Sequence, residues 1–248
     1  MKYYVLSDIH GFFTLFQKTL RDAGYFDDPE EKKLLLLGDL FDRGAEAPAM
    51  QKYILELMEG EEVILVRGNH EDLFQELVTA DHGRPLRHHV LNGTYDTLEQ
   101  LTGLSGYGWN ANRRLAAAGR ETPLYTRILP AMLDYYETGR YVFTHGWVPC
   151  QSFYGGLAFD PDWREASGAA WREARWTNPM EAVRTAQIED KTVVCGHFHC
   201  SYGHAKFEGK GSEFGPDADF SPYTASGIIA LDACTAYSGR MNCVVLRD

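Results

Sequence analysis

The chain opens on a short apolar run, residues 3–6, that stops abruptly at Ser7-Asp8-Ile9-His10-Gly11. A brief aromatic and β-branched run closed by polar residues predicts a strand. Phe12, Phe13, Leu15, Phe16 and Leu20 then recur near helical spacing, and Gly24 suits a helix end. The same order follows twice more. Residues 34–37, four leucines, predict a buried strand that runs into Gly38-Asp39-Leu40-Phe41-Asp42-Arg43-Gly44. Residues 47–58 predict the next helix, with Tyr53, Ile54, Leu57 and Met58 on one side. Residues 62–66 predict a third strand, ending in Arg67-Gly68-Asn69-His70-Glu71. Strand, polar turn and helix three times over predict an α/β fold with strands at least partly parallel.

The pattern then changes. No strand is expected between Asp72 and Gly139, and helices are predicted over 72–78, 95–101, 111–118 and 125–136. These make a helical insert, about 72–139, inside a single domain spanning 1–248, because the polar strand ends on either side of it need each other. Strands return at 141–144, ending in His145-Gly146, and at 192–195, ending in Gly196-His197-Phe198-His199. Residues 228–232 and 241–246 are expected to pair as a closing hairpin. The Gly-, Asp-, Glu- and Ser-rich stretch of about 200–227 is expected to be a surface loop.

Composition narrows the partners. A length of 248 residues allows a substantial core, and 44% hydrophobic with 24% charged residues is ordinary for a soluble globular protein. The net charge of −11 argues against a nucleic-acid strand as partner, since such binders need a basic face. A small anionic substrate in a locally positive or metal-loaded site remains open. Five cysteines, an odd number without regular pairing, predict reduced thiols in a cytoplasmic protein. The first residues are too short for a signal sequence, and no apolar run approaches the ~18 residues of a membrane span. No membrane partner is expected.

The polar residues at the predicted strand ends carry the chemistry. Asp8 and His10, Asp39, Asn69, His145, then His197 and His199 each follow an apolar run. Strand carboxyl ends of an α/β sheet converge on one edge, so residues distant in sequence meet there. Two carboxylates, an amide and four imidazoles form a mixed oxygen and nitrogen set that suits Mn²⁺, Fe or Zn²⁺. Seven donors exceed the needs of one tetrahedral ion and suit two divalent ions with a bridging carboxylate. Two ions ~3.5–4 Å apart bind phosphoryl oxygens together and lower the pKa of a shared water.

Simpler explanations exist for single residues. Asp39 alone would serve as a helix cap, and a lone histidine such as His145 is ordinarily just hydrogen-bonded. His197 and His199, two apart, share a side only if extended. His82, His88, His89 and His204 are read as surface or loop residues, and Trp147, Trp163, Trp171 and Trp176 as packing. Asp217-Ala218-Asp219 imitates a calcium loop, but Pro222 stands where its turn glycine belongs, so that site is rejected.

Taken in order, Asp8-Ile9-His10, Gly38 to Gly44, Gly68-Asn69-His70-Glu71, His145-Gly146 and Gly196-His197-Phe198-His199 resemble the motifs of the calcineurin-like metallophosphoesterase superfamily. Asp42-Arg43-Gly44 and Arg67-Gly68-Asn69-His70-Glu71 look most like its serine/threonine phosphoprotein phosphatases and their bacterial relatives, including the symmetrical diadenosine tetraphosphatases. The resemblance implies a layered β-sandwich of mixed sheets flanked by helices. It implies that Asp8, His10 and Asp39 hold a first metal, with His199 a further ligand. Asp39 would bridge to a second, held also by Asn69, His145 and His197. A bridging water would attack phosphorus in line. Arg43 would clamp the phosphate, helped by Asn69, and His70 would protonate the leaving oxygen with Asp42 orienting it. A second phosphate-binding arginine belongs between the last two motifs, where Arg172 and Arg175 both stand. The final Gly-His-Phe-His is nearer the wider superfamily than the phosphoprotein phosphatases, which carry one histidine there.

Three functions follow from the resemblance. The first is a two-metal phosphomonoesterase with Mn²⁺ as the first expectation for its ions, acting on phosphoserine or phosphothreonine in proteins or on a small phosphoester. The second is hydrolysis of diadenosine tetraphosphate or another nucleotide pyrophosphate. The third is a metal-binding interaction protein without catalysis, which would have no need of His70.

Overall fold

The computed structural model describes residues 1–79, 86–106, 108–188 and 190–248. The first three units form as the pattern predicts: β1 (Lys2–Leu6), α1 (Phe13–Asp22), β2 (Lys32–Leu37), α2 (Ala47–Glu59), β3 (Val63–Val66) and α3 (Asn69–Thr79). Short helices follow, α4 (Leu86–Leu91), α5 (Thr94–Thr102), α6 (Trp109–Gly119), a π-helical turn at Leu124–Ile128 and α7 (Leu129–Ala131). Then come β4 (Tyr136–Glu137), β5 (Tyr141–Phe143), the hairpin β6 (Cys150–Phe153) and β7 (Gly156–Phe159), α8 (Gly168–Ala174) and α9 (Pro179–Ala182). The chain ends with β8 (Thr192–Cys195), α10 (Cys200–Phe207), β9 (Tyr223–Ala225), β10 (Ile228–Ala230), α11 (Thr235–Ser238) and β11 (Val244–Arg247).

Two mixed sheets result, in the orders β11-β1-β2-β3 and β4-β5-β8-β10-β9. Strands β1, β2 and β3 are parallel, as are β5, β8 and β10. Side chains alternate across a strand, which explains the leucine run of β2. Leu35 and Leu37 join Tyr3, Val5, Phe143, Val194 and Leu231 in the layer between the sheets. Leu34 and Leu36 face the other way, into a core with Phe16, Leu20, Ile54 and Leu98 under the helices. A second outer core gathers Trp147, Trp163 and Trp171 against the other sheet. The fold is therefore the layered β-sandwich of mixed sheets flanked by helices that the motifs imply. Because the three parallel strands of each sheet end at the same edge, their polar ends meet there.

Four expectations differ from the structure. The last two strands are no hairpin: β10 pairs with β8 and β9, whereas β11 pairs with β1 in the other sheet. Left-handed backbone at Cys234 and Gly239 turns the chain across between them. The helix expected over 125–136 stops at Ala131, and β4 starts at Tyr136. Leu133 is captured by the end of β3 instead, donating to the Leu65 carbonyl at 2.9 Å and accepting from Arg67 N at 2.9 Å. The expected surface loop of 200–227 begins as α10 and ends in β9. His89 and His204 are buried, and His204 lies 3.0 Å from Glu208 Oε2 and 3.1 Å from the Ser221 carbonyl. His82 lies outside the described residues.

Candidate active site

The turns that leave the parallel strands are wound in left-handed backbone. Asp8, His10, Asp39, Asp42, Arg43 and His197 all have φ between 51° and 72°. Side-chain-bearing residues adopt this rarely, at a cost of about 1–3 kcal/mol each, and such strain concentrates at functional sites. Backbone bonds between neighbouring turns hold it: His10 N donates to the Asp39 carbonyl at 2.8 Å, Gly11 N to Leu40 at 2.9 Å and Gly44 N to His10 at 2.8 Å. Gly44 is required by this nesting, since a Cβ there would sit 2.4 Å from the His10 carbonyl oxygen.

Glu71 ties the second and third turns together. Its buried carboxylate accepts the backbone N–H groups of Asp39 (2.9 Å), Leu40 (2.9 Å) and Gly68 (2.8 Å). Sequence reasoning quoted Glu71 within a motif and gave it no role. Its signal was its position, in the first turn of the helix that starts with Asn69 and His70.

Asp39 stands at the centre. Its Oδ1 lies 3.4 Å from His145 Nε2, and its Oδ2 lies 3.9 Å from His10 Nε2 and 3.8 Å from His70 Nε2. Two groups of donor atoms form around it, each within 4.8 Å: His10, Asp39 and His70, and Asp39, His145 and His197. One carboxylate shared by two groups is the geometry a bridging ligand needs. Asn69 Oδ1 completes the second group, 2.8 Å from His145 Nε2 and 2.9 Å from His197 Nδ1.

The donor chemistry fits cations. His145 Nδ1 donates to the Leu37 carbonyl at 2.7 Å, and His10 Nδ1 donates to the Phe41 carbonyl at 3.0 Å. Each ring therefore turns its Nε2 inward, the orientation that carbonyl partners impose on ligating histidines. An amide oxygen and imidazole lone pairs so close together call for a positive charge between them. Electrostatics agrees. Burial pushes His10 well below its ordinary pKa, with Arg43 adding to it, so that ring is neutral. Burial and then His145 push His197 down to about 3. Burial opposes ionisation of Asp39, but the His145 and His70 imidazoles outweigh it and hold the carboxyl well below its usual range. Burial likewise opposes a charged His145, yet the Asp39 carboxylate drives it up to about 10. A bound cation would take the place of that proton.

One member of the first donor group, His70, also pairs with a carboxylate outside it. His70 Nδ1 donates to Asp42 Oδ2 at 2.7 Å. Burial disfavours the imidazolium, but Asp39 and Asp42 outweigh it and raise the His70 pKa. The insert supports this pair directly: Thr94 Oγ1 donates to Asp42 Oδ2 at 2.7 Å, and Asp42 N donates to Thr97 Oγ1 at 2.9 Å. Neither threonine was singled out from sequence. Arg43 is solvent-exposed, with one guanidinium nitrogen 2.6 Å from His10 Nε2 and another 3.1 Å from His70 Nε2.

Other expected residues lie farther out. Asp8 is buried and accepts the His197 backbone N–H at 3.0 Å, outside both donor groups. Its pKa is raised well above normal by burial and by Asp232, a buried carboxylate at the end of β10 that the sequence reading passed over. His199 is not brought into either group. Its Nε2 lies 2.8 Å from Glu213 Oε1, and its ring stacks on Phe198. Arg172 is exposed on α8. Arg175 is buried, pairing with Asp72 Oδ2 at 2.8 Å and with Asp134, against the helix that carries Asn69 and His70. Trp176 is partly exposed and packs edge-on against His197, with ring centroids 5.8 Å apart. The other three tryptophans weighed as packing are buried.

A phosphoesterase fold with a two-group donor set at its parallel strand ends defines the class. The chain belongs to the calcineurin-like phosphoesterase family, whose model matches residues 1–201. Among curated relatives it is similar to the symmetrical bis(5'-nucleosyl)-tetraphosphatase of Glaesserella parasuis serovar 5, 39% identical over 71 residues, 29% of this chain and 25% of that protein. It is also similar to serine/threonine-protein phosphatase 1 of Salmonella typhimurium, 37% identical over 70 residues, 28% of this chain and 30% of that one. These matched segments span under a third of each relative. A solved cold-active protein-tyrosine phosphatase from a psychrophilic Shewanella shares the fold, with a TM-score of 0.59 at 15% identity over 100% of this chain and 75% of that one. Among the described residues no helix is long and apolar enough to cross a membrane.

Proposed function

We propose that the chain is a two-metal phosphomonoesterase, with phosphoserine and phosphothreonine in proteins as its leading substrate class. The observation that carries this reading is the 2.7 Å His70–Asp42 contact beside Arg43 and a donor set that shares Asp39. A metal-binding protein without catalysis has no use for that pair. In this reading Asp39, His10 and Asp8 hold one divalent ion, and Asp39, Asn69, His145 and His197 hold the other, Mn²⁺ first among candidates. Bound ions would supply charge for the phosphoryl oxygens and a water of lowered pKa. The chain's own residues do the rest. Arg43, exposed at the rim, clamps the phosphate with a planar guanidinium. His70 gives a proton to the leaving oxygen, and Asp42 keeps the ring turned and charged for that transfer. A cytoplasmic setting belongs to the same reading, in keeping with five cysteines that are all free thiols.

A second reading is hydrolysis of a dinucleoside polyphosphate, favoured by the tetraphosphatase relative. The two share every catalytic residue, so substrate shape must separate them. Turnover of phosphopeptides, diadenosine tetraphosphate and a cyclic nucleotide on one Mn²⁺-loaded preparation tests this. The first reading expects phosphopeptide kcat/KM to exceed the dinucleotide value by at least about tenfold, a difference near 1.4 kcal/mol in transition-state binding. The opposite order would transfer the assignment to the nucleotide.

A further inference from the structure

Helices α3, α4, α5 and α6 line a cavity of about 420 Å³. One wall is α6, which packs closely on α3 and α5 at its far end. Gly119 lies so close to its neighbours that a Cβ there would meet Leu98 and Val78 at 2.6 Å. Earlier along the same helix, Ala116 and Ala117 line the cavity with single methyl groups, and Tyr95 and Leu98 of α5 line it as well. The volume falls within the about 300–1,000 Å³ of small-molecule sites.

The lining also selects a charge. Arg113 and Arg120 both contribute to it, and no carboxylate does among the described residues. Arg113 makes no ion pair among those residues, in a protein whose net charge is −11. Arg120 donates one N–H to the Val78 carbonyl at 2.5 Å, and among the described residues no other partner takes its remaining N–H groups. Apolar walls with guanidinium groups fit a compact apolar or aromatic body that ends in one anionic group. A carboxylate, sulfonate or phosphate monoester shares that chemistry.

The cavity and the candidate active site share a wall. On α5, Thr94 and Thr97 hold Asp42, and one residue further on Tyr95 and Leu98 face the cavity. Each pair is spaced i, i+3, so each occupies one side of the helix. Helix α3 makes a second link, with Asn69 and His70 at its start and Leu77 in the cavity lining. An occupant pressing on Tyr95 and Leu98 moves the helix that fixes Asp42, and hence the orientation of His70. Two sites on one rigid element, each able to bias its position, are coupled in free energy.

We propose that this cavity is an effector site for a small amphipathic anion, which alters turnover through α5. The binding half stands without the proposed phosphoesterase activity; the turnover half rests on it. The test titrates the Mn²⁺-loaded full chain with anilinonaphthalene sulfonate, followed by its fluorescence and by turnover of phenyl phosphate. One saturating site per chain is expected. Ala117→Trp, which fills the cavity, should abolish binding while circular dichroism stays that of the parent. Arg113→Gln should weaken binding about tenfold, the loss expected for one charge-assisted hydrogen bond. Saturating probe should change kcat at least twofold with KM unchanged. Failure to bind, or binding that survives both substitutions, overturns the site. Binding without a change in kcat overturns the effector role, and a rise in KM alone places the probe on the substrate's own surface and overturns it too.

Discussion

Asp39→Asn should strip the protein of its metal and lower kcat/KM by on the order of 10³-fold or more. The substitution keeps the shape of the side chain and the oxygen that accepts the His70 backbone N–H at 3.0 Å. Asn also tolerates the left-handed backbone that Asp39 adopts at φ 53°. What disappears is the one negative charge shared by the two donor groups. Charge stabilisation by bound ions is worth several kcal/mol, and each 1.36 kcal/mol is tenfold in rate. Elemental analysis after desalting should find fewer than one ion per chain. A variant that retains two ions and near-parent turnover would remove Asp39 from the bridging position.

His70→Asn should show the opposite split. Metal content should stay at the parental level, because the proposed assignment gives one ion to Asp8, His10 and Asp39 and the other to Asp39, Asn69, His145 and His197, and all of these are left in place. Turnover should fall by about 10²–10⁴, the usual contribution of a positioned proton donor. The size of the loss should depend on the leaving group. A serine alkoxide is a poor leaving group and needs the proton, so phosphoserine peptides should suffer the full loss. A nitrophenolate leaves with little help, and its ester should lose only about tenfold or less. The 2.7 Å contact with Asp42 and the raised pKa of His70 are the grounds for this assignment. An equal loss on both esters would mean that His70 acts on binding or on the ions rather than on the leaving oxygen.

The sheet scaffold was readable because its signal is local. Four leucines in a row, flanked by helices, mean a strand covered on both faces, and β2 is covered on both faces. The polar strand ends were readable for the same reason, since each is a few residues at a fixed place after an apolar run. What the pattern missed depends on contacts between distant segments. Leu133 leaves its helix because β3 offers it a backbone partner 68 positions earlier, at Leu65. The strands β10 and β11 separate because each finds a better edge than the other. Thr94 and Thr97 resemble any threonines on a polar helix until Asp42 is seen against them, 52 and 55 positions away. His199 shows the converse. The resemblance made it a further ligand of the first ion, but the loop that follows brings Glu213 to its Nε2. The insert, read from sequence only as helices between strand ends that need each other, supplies the threonines that hold Asp42 beside His70.

The proposed phosphoesterase activity rests on two divalent ions at the parallel strand ends. Its most direct test is a titration of chelator-stripped protein with Mn²⁺, following phosphate release from phenyl phosphate at each metal equivalent. Turnover should be negligible without metal, rise until two ions per chain are bound, and be lost again on adding chelator. Full turnover in the stripped protein, or none with any divalent ion at saturation, would contradict it.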